Sequence, residues 1–102
     1  MLIMTIENPG KPFEVLGLVR GAMVQSKHIG KDMMAGFKTI VGGELRGYTE
    51  MMEESREIAM QRMVEQAKLL GADAVVGVRY TSSSIMQGAA EVTAYGTAVK
   101  YK

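Results

Sequence analysis

A chain of 102 residues, 47% apolar and 23% charged, has room for one hydrophobic core and the balance of an ordinary globular domain. Its 12 basic and 11 acidic residues leave a formal charge of +1, so no global field selects nucleic acid or an anionic membrane. Cysteine is absent, which excludes disulfides, thiolate metal sites and cysteine nucleophiles together.

The N-terminal run MLIMTIENPG has no basic region ahead of its apolar residues, so it does not read as a signal peptide. No apolar stretch approaches the ~20 residues of a membrane span. The expectation is a single domain over residues 1–102, soluble and cytoplasmic. Methionine is the compositional oddity, with ten residues. Thioethers can hold soft metals such as Cu(I), but without nearby Cys or His they read as filling for irregular gaps in cores and interfaces.

In chain order, Leu2 to Glu7 reads as a short strand closed by Asn8-Pro9-Gly10 and Pro12, either an edge strand or an arm onto a neighbouring subunit. Phe13 to Val24 is the first substantial strand. Strict alternation puts Phe13, Val15, Gly17 and Val19 on one face and Leu16, Leu18 and Ala22 on the other. Apolar residues on both faces call for cover on both sides. One long helix can cover only one of them, so the second cover is expected from another copy of the chain.

Gln25 to Gly43 begins polar and then places Met33, Met34, Phe37, Ile40 and Val41 at helical spacings, with Gly42-Gly43 as a stop. Glu44 to Gly47 reads as a connecting loop. Tyr48 to Leu70 is the dominant element, an amphipathic helix with Thr49 as its N-cap and Gly71 as its stop. Met52, Ala59, Met63, Ala67 and Leu70 form its expected core stripe, and Glu50, Glu54 and Glu57 its solvated side. Met51, Ile58 and Leu69 share a flank and read as a protein contact. Ala74 to Thr81 is a Val-rich strand, Ser82 to Gly88 a polar turn and Ala90 to Tyr101 the clearest strand. In that last strand Val92, Ala94, Gly96 and Ala98 share a face small enough for a helix to lie close along it. The expected fold is an α+β two-layer sandwich. One long and one short helix lie on a mainly antiparallel three-stranded sheet, with a small extra N-terminal strand.

The runs IVGGELRGYTEMMEESREIAM, AKLLGADAVVGVRY and AYGTAVK, with MMAGFKTIVGG before them, resemble the YbjQ family. That family carries a heavy-metal-binding label. The resemblance implies a dodecin-like subunit, a helix on a three-stranded antiparallel sheet. It also implies assembly into a closed ring, a homopentamer or stacked pentamers.

The chemistry that the residues themselves offer is sparse. A transition-metal site wants Cys, His or clustered carboxylates, and His28 is the single imidazole, a weak metal candidate. No other cofactor is indicated. There is no GxSxG, P-loop, GxGxxG or HExxH pattern, so an enzyme is the weakest reading. Arg46, ahead of the long helix, is the only cation that could help an anion there, against Glu50, Glu53 and Glu54. Arg79, Tyr80, Glu91 and Tyr95 are the charged and aromatic strand residues that could line a cleft between subunits. The function expected is a homo-oligomeric binding protein, pentameric, that takes a metal or small ligand at its subunit interfaces. The alternative is a structural or partner-binding ring with no small-molecule site.

Overall fold

Three long runs of alternating and β-branched residues build the sheet, and one amphipathic run builds the layer that covers it. The computed structural model describes residues 1–26, 46–86 and 89–102, apart from the side chains of Arg46 and Tyr48. The short helix expected within Gln25–Gly43, the Gly42-Gly43 stop, His28 and the side chain of Arg46 lie outside the described residues. Strands β1 (Leu2–Ile3) and β2 (Phe13–Ser26) precede helix α1 (Arg46–Leu69), and β3 (Ala74–Met86) and β4 (Ala89–Tyr101) follow it. They form one four-stranded sheet in the order β1-β3-β4-β2. β4 is antiparallel to both long neighbours, and β1 is parallel to β3.

The N-terminal segment is an edge strand of its own sheet. Beyond Ile3 it continues along β3, with Met4 N–H donating to Val75 O and Gly77 N–H donating to Ile6 O. Ser82 to Met86, expected as a turn, belong to β3 instead and pair with β4 from Ser82↔Val92 to Met86↔Ala89. Three serines in a row suggest a turn by composition, but a long cross-strand ladder overrides so weak a local preference.

α1 starts at Arg46, earlier than expected, so Thr49 lies inside the first turns and is not the N-cap. Its end is as expected. Gly71 takes φ +78°, its N–H donates to Lys68 O, and Ala72 N–H donates to Ala67 O, the paired bonds of a Schellman stop. The buried line of the helix is Met51, Ser55, Ala59, Met63 and Ala67. A strict spacing of four residues advances around the helix by roughly 40° per step, so this line winds as it follows the twisted sheet. That winding brings Met51 into the core and leaves Leu70 exposed, against the fixed-angle stripe expected from the sequence. Met51 is therefore no part of a surface flank.

The helix lies chiefly over β2 and makes a smaller contact with the Ala-Gly-Ala face of β4. Gly21 is the reason. A Cβ at that position would collide with the Ala59 carbonyl oxygen and the Met63 backbone nitrogen, and would sit 2.7 Å from Arg62 Cβ. Only a residue without a side chain lets strand and helix backbones meet so closely. Around that contact Val19, Ala59, Met63, Ala67, Val75, Val92, Ala94 and Ala98 form the main core. Side chains of the helix then reach over the β2 edge. Arg62 Nη1 donates to Ala22 O (2.6 Å), and Gln66 Oε1 accepts from Arg20 N–H (2.6 Å). Those two bonds cap backbone groups on an outer strand edge that would otherwise invite another strand.

Among the described residues Ser55 is the one buried polar side chain, 1% exposed. Its hydroxyl sits between Met51 O (2.8 Å) and Gln25 Oε1 and shares its single proton between the two acceptors.

Two stability changes follow. Gly21→Ala is expected to cost about 3 kcal/mol and lower the melting temperature by ~10 °C or more, because backbone must move to admit one methyl group. Ser55→Ala is expected to cost about 1 kcal/mol, since it removes one buried hydroxyl tie between helix and strand. Thermal and chemical denaturation of both variants, read by circular dichroism, checks the order and the gap.

Candidate functional site

A β-bulge decides what the sheet presents to the outside. In β2 the register shifts between Val15 and Gly17, so Val15 pairs with Val99 and Gly17 with Ala98. The extra residue, Leu16, breaks the alternation, and Val15 and Leu18 come to share a face. This corrects the expected division of β2. Gly17, Val19, Gly21 and Met23 pair with Ala98, Gly96, Ala94 and Val92 on the helix side. Val15, Leu18, Arg20, Ala22 and Val24 lie on the opposite side with Thr93, Tyr95 and Thr97.

The chain itself covers one end of that opposite face. Ala74, Val76 and Val99 are buried there beneath Met4, Phe13 and Tyr101. Lys11 adds its ammonium 4.1 Å from the centre of the Tyr101 ring. The rest of the face is open. Val15 is 60% exposed, Leu18 68%, Val24 55% and Tyr95 38%.

The four strand residues expected to line a cleft do not converge. Glu91 and Tyr95 stand on the open face, Glu91 half-buried. Tyr80 pairs with Ala94 and belongs to the helix side, where it is half exposed. Arg79 pairs with Tyr95, but its guanidinium lies at the sheet edge, with Nη1 donating to Thr5 O (3.0 Å) and Val78 O (2.8 Å). Arg79 and Tyr80 therefore meet at a groove rather than on the face. Together with Ile3, Thr5, Met60 and Val78 they line an open groove of about 340 Å³ between the N-terminal segment and α1. Sequence periodicity could not place Ile3 and Met60 beside Arg79. The pairing of β1 with β3 brings in the N-terminal segment and α1 supplies Met60, and two residues of strand carry no pattern of their own.

A second depression, of about 600 Å³, is a shallow dish between Asn8–Phe13 and Lys102. Its walls are turn residues and two exposed lysines, which gives it little shape to recognise anything. On the helix flank Ile58 is half-buried and Leu69 is 89% exposed, so the expected contact strip reduces to its C-terminal end. Glu50, Glu54 and Glu57 are exposed on the outer side of α1. Among the described residues no three His, Cys, Asp or Glu side chains come together. Among the described residues, no helix is long and apolar enough to cross a membrane.

Known proteins place the chain. Residues 1–102 match the YbjQ family, whose description reads "Putative heavy-metal-binding". A UPF0145 protein of Vibrio parahaemolyticus is 67% identical over 93 residues, covering 90% of this chain and 89% of that protein. A UPF0145 protein of Thermotoga petrophila is 60% identical over 102 residues, covering 98% and 96%. The crystal structure of a protein of unknown function from the DUF74 family of Pediococcus pentosaceus superposes with a TM-score of 0.73. At 18% identity, with 100% of this chain and 98% of that one covered, it is a likeness of fold. With its whole length matched and its relatives this similar, the chain belongs to the uncharacterised YbjQ (UPF0145) family.

Proposed function

We propose that this chain is the subunit of a homo-oligomeric ring, a pentamer, whose role is to bind at the interfaces between its subunits. The observation that carries this reading is the open sheet face, where Val15, Leu18 and Val24 all stand more than half exposed beside Tyr95. A monomer in water gains nothing from such a face, whereas a neighbour that covers it recovers about 2 kcal/mol per aliphatic side chain.

Magnitudes favour a ring over an isolated pair. The three aliphatic residues together offer about 6 kcal/mol, close to the low end of the cost of immobilising a partner. A head-to-tail ring gives each subunit two such contacts. That arrangement needs two different surfaces, and the chain has a second apolar one at the end of α1, where Leu69 is 89% and Leu70 48% exposed.

The family description raises metal. The donor set of the described residues does not fit a soft-metal centre, because thiolates are absent from the sequence and no carboxylate or imidazole triad forms. The binding role is therefore assigned to small ligands or partner proteins at the interfaces.

Light scattering of the untagged protein is expected to give a mass several times 11.1 kDa. Leu18→Lys and Leu69→Lys are each expected to shift that mass towards the monomer and to leave the secondary structure intact. Both side chains are exposed, so neither change should unfold the chain by itself. A wild-type protein that stays monomeric at high concentration defeats the ring. Elemental analysis after tag-free purification tests the metal. The expected result is less than one equivalent of any transition metal per ring, and a stoichiometric metal would overturn the assignment.

A further inference from the structure

We propose that the groove between the N-terminal segment and α1 is a binding site for small organic monocarboxylates with an apolar body. Among the described residues, Arg79 is the only charged one on its walls. Among the described residues that guanidinium has no carboxylate partner, and both hydrogens of Nη1 are committed to Thr5 O and Val78 O. This leaves the Nε and Nη2 edge with its N–H donors, the side-on fork that accepts a carboxylate through two parallel hydrogen bonds. The tether also removes the entropic cost of ordering the side chain when a ligand arrives.

The remaining walls select the body of the ligand. Ile3, Met60 and Val78 are aliphatic or thioether, and the Tyr80 hydroxyl has no partner among the described residues. A groove of about 340 Å³ suits a one-ring acid. A phosphate fits less well. It carries nearly twice the charge, and the groove offers a single cation and no helix N-terminus to share it. All the walls come from one chain, so the site does not depend on the ring.

The test is a titration of the isotopically labelled full chain with phenylacetate, followed by NMR, with phenylacetamide as the uncharged match. The expected result is saturable shifts at the Ile3 and Met60 methyls, with the acid about tenfold tighter than the amide. Arg79→Gln should bring the acid down to the level of the amide. Because that change also releases Thr5, Met60→Glu provides a second variant. It leaves the tether in place, sets an anion in the groove and should abolish binding of the acid. Equal affinity for acid and amide, shifts centred on Lys11 and Lys102, or undiminished binding by Met60→Glu would each overturn the site. Light scattering on the same samples separates this outcome from the fate of the ring, since a monomer that binds the acid keeps the groove and loses only the assembly.

Discussion

The contact of helix backbone on strand backbone at Gly21 sets the geometry of the whole fold. A helix of 24 residues, ~36 Å long, can cover about two strands of a sheet, and the question is which two. Gly21 answers it by letting α1 settle over the outer strand β2. Once it lies there, Arg62 and Gln66 are within reach of the β2 edge and close it. The opposite strand, β3, keeps an uncovered length from Arg79 to Met86, all of it exposed. A helix centred on β4 would have covered the middle of the sheet and left both edges alike. The off-centre position makes the sheet asymmetric, with one capped edge and one open edge.

That asymmetry extends through the sheet. The bulge in β2 collects Val15, Leu18 and Val24 onto the face away from the helix, where alternate placement would have divided them between the two layers. Met4, Phe13 and Tyr101 cover one end of the face, and among the described residues Val15, Leu18 and Val24 stay exposed on the rest. Apolar cover is limited in a domain of 102 residues with 6% aromatic residues. Among the described residues its second layer is therefore incomplete.

Much of the architecture was legible because the signals were strong and local. The four elements that carry the fold announced themselves by β-branched content, helical spacing and the Gly71 stop, and family membership followed from short motifs over most of the chain. What escaped the sequence was set by irregularity. A wheel with a fixed angle misplaced Met51 and Leu70, because the buried line winds along the helix. Strict alternation misread β2, since nothing in VLGLV says which residue bulges. The serines at Ser82–Ser84 read as a turn because pairing partners distant in the chain outweigh their own preference. Candidate residues fared alike. Glu91 and Tyr95 do share a face, whereas Arg79 and Tyr80 leave it for a groove whose other wall comes from the N-terminus.

A second bulge, in β3, accounts for that departure. The register shifts between Val76 and Arg79, and Gly77 takes φ +62°. Here Gly77 N–H and Val78 N–H both turn outward, to Ile6 O and Met4 O, so the N-terminal segment is held where the strand is irregular. In a regular strand Val78 would stand on the open face with Val76, and Arg79 would point into the helix layer. The bulge instead buries Val78 in the main core and brings Arg79 to the edge, where Thr5 O holds it. One extra residue thus does two things at once. It keeps a charge out of the core, and it places a tethered guanidinium beside apolar side chains from three separate elements. The Thr5 tether holds that side chain in one arrangement, where water could have met the same carbonyl at no comparable cost in side-chain order.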